Sequence, residues 1–279
     1  MDAGAQPGRF LAPYLIFSNF LQKIYVQRGL IRNFVIRDLR QRYIGSLMGF
    51  FWSVIHPIVL LVSYTFVFQT IFKVRLPETG TTSFPLFLFC GILPWLFFQD
   101  TLQRSSTILL DNASLVTKTI FPTEILPLSV LLAGVVNHLI GFAILLGILL
   151  FTGNSFSPLI FMVPVYFFVL MLFTLGLAWM LASLNVFVRD IAQVLNVLLT
   201  FWFWFTPIFY TSSQFPKRLL FLVKLNPLAH IVIAYRDCML QVRMPDLINL
   251  AVLALVSTAV FAAGGMFFRH VKREFVDVL

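Results

Sequence analysis

Residues 158–184 read PLIFMVPVYFFVLMLFTLGLAWMLASL and contain no charged side chain. A helix needs about 20 consecutive apolar residues to cross the hydrocarbon core of a bilayer, so this run is long enough. Similar runs recur at about 50–72, 84–104, 126–151, 192–211 and 247–268. Their apolar residues are continuous and do not alternate with the period of two that a membrane β-barrel requires. The sequence therefore predicts an all-α integral membrane protein with six transmembrane helices.

The composition supports a membrane protein and gives no sign of a nucleic-acid partner. Hydrophobic residues make up 59% of the chain and charged residues 11%, whereas soluble domains average about 45–50% and about 25%. The net charge is +9, but the basic residues flank the apolar runs, where anionic lipid head groups are the natural partner. Cys90 and Cys238 are too few for a disulfide framework or a metal cluster, and we interpret both as packing residues.

The positions of Lys and Arg predict the orientation of the chain. Most of the twenty basic residues fall on the cytoplasmic side if both termini lie there, as the positive-inside rule requires. This assignment divides the chain into a cytoplasmic amino-terminal segment (1–49), a transmembrane domain (50–268) and a cytoplasmic tail (269–279).

The segment 212–246 holds two apolar stretches, neither long enough to cross a bilayer alone. Joined into one span, they would place Lys224 and His230 in hydrocarbon and force the basic tail to the outside. We therefore predict a pair of half-length helices that enters the outer side of the membrane and returns, packed against protein. The alternative is a loop that lies flat in the head-group plane.

Residues 18–43 alternate apolar positions with arginines in the pattern of an amphipathic interfacial helix. Its basic side is predicted to lie among lipid phosphates, although plain positive-inside anchoring explains the same charges. The arginines concerned are Arg28, Arg32, Arg37, Arg40 and Arg42.

The predicted spans contain almost no ionisable groups, which argues against a proton-driven or sodium-driven carrier. Only His56 and His138 lie well inside a span, and we interpret each as a hydrogen-bonded structural residue. No Gly-Lys pair occurs in the chain, so no phosphate-binding loop of the GxxxxGK[ST] type exists, and metal-ligand spacings are absent as well. If this protein moves a substrate uphill, another polypeptide must supply the energy.

Residues 201–210 read FWFWFTPIFY. At about 100° per residue, Phe201, Trp202, Phe205 and Phe209 share one side of a helix, and such a strip of rings could line a passage. Aromatic rings stack on the C–H faces of sugars without requiring charge, so the cargo would be a glycan chain. The alternative is ordinary helix packing and lipid contact.

Several motifs, in this order, resemble one known family. They are RDLRQRYIGSLMGFFWSVIHPI (37–58), GILPWLFFQDTL (91–102), NASLVTKTIFPTEILPLS (112–129), NVFVRDIAQVL (185–195), TPIFY (206–210) and LNPLAHIVIAYRD (225–237). The ordered set resembles the membrane permease of ATP-binding-cassette (ABC) exporters for O-antigen and related surface polysaccharides, in the ABC type 2 permease family.

The resemblance implies a homodimer in a bacterial inner membrane, with two copies of a separate ATPase subunit that bind ATP and Mg. This chain would bind no cofactor or metal itself. The cargo would be a polyprenyl-pyrophosphate-linked polysaccharide, moved from cytoplasm to periplasm. The rings proposed to line its passage are Phe51, Trp52, Tyr64, Phe201, Trp202, Phe205 and Phe209.

The resemblance also assigns the two ends of the molecule. The interfacial helix and the 105–123 loop would meet the ATPase, and the contact region includes Arg104, Lys118, Pro122 and Glu124. The 212–246 pair would close the outer end of the channel, with gate residues Asn226, Pro227, His230, Arg236 and Asp237.

Three other functions are compatible with parts of the sequence. Exporters of teichoic acid or another lipid-linked glycan share much of the motif set. An exporter of a small drug or lipid would need a closed pocket instead of a ring-lined tunnel. An intramembrane lipid-modifying enzyme would have to use His138 or His56 without a carboxylate partner in the bilayer.

Overall fold

The computed structural model describes residues 25–42, 48–73, 83–118, 121–151, 157–211 and 214–279. Every regular element in these ranges is a helix, which confirms the predicted all-α class. Residues 1–24 of the predicted cytoplasmic segment and the side chain of Lys118 lie outside the described part of the chain.

The long helices follow the predicted apolar runs, with five long and apolar enough to cross a membrane. They are α2 (Trp52–Thr65, continued by a π-helical turn Phe66–Ile71), α3 (Phe84–Asp111), α5 (Ile125–Phe151), α6 (Val163–Phe187, preceded by a 3-10 turn Pro158–Met162) and α10 (Leu247–Val271). Local sequence sets their starts: Asp246 accepts hydrogen bonds from the backbone N–H groups of Ile248 and Asn249 and so caps α10.

The run predicted to span 192–211 forms a shorter helix, α7 (Ile191–Phe205). It ends at Phe205, and the backbone of the next residue, Thr206, is extended (φ −88°, ψ 130°). Pro207 disfavours the helical conformation of the residue before it and cannot donate a helical hydrogen bond. The predicted outer end of this span is therefore wrong by several residues.

Two short helices follow in the segment predicted as a returning pair. Lys217–Leu225, which includes α8 (Leu220–Leu225), and Pro227–Gln241, which includes α9 (Pro227–Arg236), meet at an angle of 90°. Asn226 stands at the bend and caps α9 by accepting a hydrogen bond from the backbone N–H of Leu228 at 3.0 Å. The pair is either a sharply broken span or a returning loop, and the number of candidate spans rises from five to six only if it is one span.

One end of the bundle, which we call the basic end, carries three helices that are not candidate spans. These are α1 (Arg28–Gln41), α4 (Ala113–Lys118) and α11 (Phe275–Val278). An ion network ties the end of α1 to α3: buried Asp38 pairs with Arg42 at 3.0 Å and with Arg104, while Arg42 also pairs with Asp100 at 2.8 Å. Burial alone would lower the pKa of Arg42, but Asp100 and Asp38 outweigh it and raise the pKa above its ordinary value. Arg42 therefore stays protonated.

The five spans differ greatly in burial. In the most apolar 18-residue stretch of each span, the buried share of residues is 78% for α3 and 11% for α2 with its π-helical continuation. Helix α3 is thus the centre of the bundle and α2 lies at its edge, with Val59, Val62 and Phe66 exposed.

Helices α6 and α10 approach most closely at two glycines. A Cβ on Gly176 would lie 2.5 Å from the carbonyl oxygen of Val260, and a Cβ on Gly264 would collide with the backbone of Gly176. Since lipid removes the hydrophobic drive for helix association, close backbone approach at small residues is a main source of stability here.

We expect Gly264→Ala to lower the thermal unfolding temperature of the detergent-purified protein, because separating the two backbones costs about 1–3 kcal/mol. Gly147→Ala is the matched control, since nothing lies within 4 Å of a Cβ placed there. Equal unfolding temperatures for the two variants would contradict this account of the α6–α10 contact.

Candidate functional site

A groove of about 460 Å³ lies between α2, α3 and α7. Its walls combine aromatic rings with uncharged polar side chains. The principal lining residues are Tyr64, Trp95, Gln99, Gln103, Thr200 and Phe203. Asp100, at the wall shared with a second cavity, is the one charged residue among its described lining residues.

Helix α3 contributes a stripe of residues at intervals of four. Trp95, Gln99 and Gln103 therefore follow one another along one side of the helix. The indole Nε1 of Trp95 donates to the Gln99 amide oxygen at 2.7 Å, and the Gln103 amide donates to Asn196 of α7 at 2.8 Å. These bonds fix the orientation of the amides and connect the two helices that form the groove.

Helix α7 presents a matching stripe of Asn196, Thr200 and Phe203. The ring of Phe203 lies 5.3 Å from that of Trp95 and 6.4 Å from that of Tyr64, centroid to centroid. It also meets Phe209 edge-on at 5.3 Å. A cluster of rings therefore fills one end of the groove, and amides occupy the other.

The predicted ring strip on α7 is wrong as a single helical face, because the helix ends at Phe205 and Phe209 lies beyond the break. Phe201 is 62% exposed and points away from the groove, as does Phe205. Trp202 turns toward the protein and packs edge-on against Phe98 at 5.2 Å. The ring that enters the groove is Phe203, which the sequence reasoning missed.

The other three predicted lining rings fall in different places. Tyr64 lies in the groove, where its ring meets Phe209 edge-on at 5.1 Å. Trp52 lines a separate cavity beside α5, and Phe51 is exposed at the start of α2. Whether any of these rings contacts a substrate stays a prediction.

The missed residues carry a signal in the sequence. Gln99 and Gln103 are polar residues four apart inside an apolar run, and Asn196 and Thr200 repeat that interval in α7. Uncharged polar groups in a span face protein or a cavity, because lipid offers them no partner. Phe203 follows Thr200 by three residues and so lies on the side of α7 that these polar residues mark.

Arg236 satisfies the carbonyl groups that the break after α7 leaves without helical partners. It is buried and donates to the carbonyl oxygens of Pro207 at 2.6 Å, Ile208 at 2.7 Å and Phe87 at 3.2 Å. Its guanidinium also lies 3.5 Å above the ring of Phe87. A guanidinium offers five donors in a planar fork, so one side chain can serve three acceptors.

Asn226 makes a second connection between the break and α9. Its amide oxygen accepts from the Trp202 indole at 2.9 Å, and its amide nitrogen donates to the Thr206 hydroxyl at 2.9 Å. Three of the predicted gate residues, Asn226, Pro227 and Arg236, therefore come together at one junction. His230 instead lies 2.7 Å from the carbonyl oxygen of Lys224, and Asp237 begins a π-helical turn.

The five arginines predicted to meet lipid phosphates divide into two groups. Arg37 donates to Asn112, and Arg42 belongs to the ion network with Asp38 and Asp100. The exposed members are Arg28, Arg32 and Arg40. For these three, contact with phosphates stays a prediction.

The residues predicted to contact an ATPase lie at the basic end. Arg104 pairs with Asp38, Glu124 pairs with Lys272 at 3.4 Å, and Lys118 ends α4.

The sequence reasoning missed Phe275, a fully buried ring that meets Phe187 and Phe268 while α11 packs on α4. The sequence feature that indicates its burial is its place as the lone aromatic residue in the polar tail RHVKREFVDVL.

His138 has the structural surroundings that the sequence suggested. It stacks on Phe167 at 3.9 Å between centroids, and its Nε2 lies 3.2 Å from the Tyr235 hydroxyl. His56 lines the groove, and Asp100 is the one carboxylate among the described residues that line it. Within the described ranges, no group of His, Cys, Asp and Glu side chains has a geometry that could hold a metal ion.

The sequence matches a known family and several characterised proteins. The family described as "ABC-2 type transporter" matches residues 30–240. The chain is 31% identical over 263 residues to the O-antigen export system permease protein RfbA of Myxococcus xanthus, which covers 92% of this chain and 98% of that protein. Identity to the protein of the same name from Klebsiella pneumoniae is 26% over 244 residues (87% and 92%). The polysialic acid transport protein KpsM of Escherichia coli is 22% identical over 246 residues (88% and 94%).

The contact between Arg236 and the break can be tested by a double-mutant cycle with Gly91. We expect Arg236→Met to lower the unfolding temperature, because each buried carbonyl left without a donor costs about 1–3 kcal/mol. Gly91→Ala should also destabilise, since its Cβ would lie 2.7 Å from the Arg236 Nη2 atom.

In the double variant, Gly91→Ala should cost much less, because the guanidinium it strikes is gone. Thermal unfolding of the purified single and double variants measures this coupling. If the two losses of unfolding temperature are strictly additive, Arg236 and Gly91 are not in contact.

Proposed function

Since the chain belongs to the ABC-2 type transporter family, we propose that it is the membrane permease of an ABC exporter that moves a lipid-linked surface polysaccharide of the O-antigen type out of the cytoplasm. The observation that carries this proposal is the groove of rings and amides between α2, α3 and α7. It agrees with the O-antigen export named for the more similar of the relatives described above.

The groove has the chemistry that a moving glycan needs. The partly exposed rings of Tyr64 and Phe203 offer flat apolar surfaces to the C–H faces of sugars. Gln99 and Gln103 offer uncharged donors and acceptors to the hydroxyl groups. Neither contact depends on one particular sugar, so successive sugars can exchange places along the groove.

A second copy of the chain would complete the passage. Helix α2 is mostly exposed, and the side of α7 that bears Val194, Val197, Leu198 and Phe201 is exposed as well. The groove between these two helices therefore stands open to one side. Two chains facing each other there would enclose a channel, which is the homodimer implied by the sequence motifs.

The basic end is the proposed cytoplasmic side, with both termini in the cytoplasm of a bacterial inner membrane. Two copies of a nucleotide-binding subunit, which would hold ATP and Mg, would dock on α1 and α4. The exposed Arg28, Arg32 and Arg40 would meet the pyrophosphate of the polyprenyl carrier at head-group depth. The bent pair α8–α9 would return to the outer surface as a re-entrant loop and close that end.

Of the alternative functions, the intramembrane enzyme has the least support. The described hydrogen-bond and ring contacts of His138 are with Tyr235 and with neighbouring phenylalanines such as Phe167. None of them is a carboxylate that would activate His138 as a base.

The proposed function predicts that deletion of this permease removes the surface polysaccharide and leaves lipid-linked glycan inside the cell. Surface glycan is measured by electrophoresis and cell-surface labelling, and the intracellular pool by lipid extraction. A deletion strain with unchanged surface polysaccharide would overturn the proposal.

In the complemented strain, we expect Phe203→Ala to slow export about fivefold if the lost ring contact contributes about 1 kcal/mol to passage. Phe168→Ala is the matched control, because Phe168 is an exposed ring on α6 outside the groove. Both variants should reach wild-type abundance in the membrane. Equal export by the two would exclude the lining role of Phe203.

Phe275 is expected to hold α4 in position for the ATPase subunit. Phe275→Ala should therefore reduce the amount of ATPase that co-purifies with the permease, since truncating a buried ring leaves a cavity under α4. Phe275→Leu should restore most of it, and Val276→Ala, an exposed neighbour, should have no effect. Normal co-purification of Phe275→Ala would show that α11 does not position the docking surface.

A further inference from the structure

A second cavity, of about 340 Å³, adjoins the groove and lies between α2, α3 and α5. It is close to the basic end, because Arg42 and Arg104 of the ion network line it. Its volume falls in the range of about 300–1,000 Å³ that is usual for small-molecule sites. We propose that this cavity binds a single neutral sugar, the membrane-proximal residue of the lipid-linked glycan, so the inference rests on the proposed function.

Unsatisfied hydrogen-bonding atoms converge on this cavity. Four lining residues carry a buried polar atom without a hydrogen-bond partner among the described residues: Nη2 of Arg42, Nε of Arg104, the side-chain oxygen of Asn137 and Nδ1 of His138. Buried polar atoms in folded proteins almost always have a partner, so four without one around a single cavity indicate a bound molecule. The two arginine atoms donate, the Asn137 oxygen accepts, and the His138 nitrogen does either according to its tautomer.

The charges around the cavity favour a neutral ligand over a phosphate. Arg42 and Arg104 are already paired with Asp38 and Asp100, so the two positive charges are balanced by two negative ones. The Asp100 side chain is 43% exposed and stands in the cavity wall, where it would repel an anion. A phosphate diester has no proton to donate to Asn137 or Asp100. Sugar hydroxyl groups both donate and accept, which suits all of these atoms.

An aromatic ring completes the site. Trp52 lines the cavity, and its side chain is 45% exposed. A flat ring beside a few fixed polar groups is the arrangement that holds a sugar by its C–H face and its hydroxyls at once.

The position of the cavity suits the first sugar of the glycan in particular. Arg42 follows directly on α1, whose exposed arginines are the proposed partners of the carrier phosphates, and the first sugar is bonded to those phosphates. His56, Leu96 and Asp100 line both this cavity and the groove. A sugar held here is therefore separated from the passage by one layer of side chains.

The inference is tested with the intact permease–ATPase complex in lipid nanodiscs. The probes are the methyl glycosides of glucose, galactose and N-acetylglucosamine, with inorganic phosphate as the anionic comparison. Binding is followed by tryptophan fluorescence, and Trp52→Phe identifies the signal from this site. We expect a saturable change with at least one glycoside and none with phosphate.

Asn137→Leu should weaken glycoside binding at least about tenfold, because it removes the acceptor and fills part of the cavity. Leu139→Ala, an exposed neighbour on α5 outside the cavity, should bind as the wild type does. The inference is overturned by a saturable response to phosphate alone, by the absence of any saturable response that depends on Trp52, or by unchanged binding in Asn137→Leu.

Surface-polysaccharide assays separate this result from the proposed function. If the deletion strain keeps its surface glycan, the proposed function itself fails. If wild type and Asn137→Leu restore export equally while no glycoside binds, only the sugar site is wrong.

Discussion

A carbonyl group inside a bilayer must find its hydrogen-bond donor within the protein, because hydrocarbon supplies none. The break after α7 exposes this constraint, since Pro207 ends the helix and leaves the carbonyls of Pro207 and Ile208 without helical partners. Arg236 supplies both donors from a buried position and reaches Phe87 as well. The bent pair, α3 and the end of α7 are joined at this one side chain, so the geometry around the groove depends on it.

The break also determines which rings meet in the groove. Because the chain leaves the helix at Thr206, Phe209 folds back against the π-helical end of α2 and stacks on Phe68 at 4.3 Å. Phe209 then packs edge-on against Phe203 and Tyr64. A continuous helix would have carried Phe209 farther along α7 and left Phe203 without this support. The position of the proline thus connects a local backbone rule to the shape of the proposed passage.

Length and hydropathy were enough to place the five long spans, because a bilayer demands an uninterrupted apolar run and few other structures contain one. The side of α7 that faces the groove was not predictable in the same way. Six of the nine residues from Phe201 to Phe209 are aromatic, so rings project from nearly every side of the helix. Only the polar residues Asn196 and Thr200 distinguish its inner side. The burial of Arg236 was beyond sequence reasoning, because its acceptors lie 28, 29 and 149 residues away along the chain.

Helix α3 connects the two ends of the molecule. At one end, Asp100 and Arg104 belong to the ion network that holds α1, and at the other, Phe87 and Gly91 lie directly against Arg236. Between them runs the stripe of Trp95, Gln99 and Gln103. Because α3 is the most buried span and α2 the least, a rearrangement that opens a path past the groove costs fewest contacts if α2 moves while α3 stays fixed. The two cavities share His56 of α2 and Leu96 and Asp100 of α3 in their walls, so displacement of α2 alone would join them.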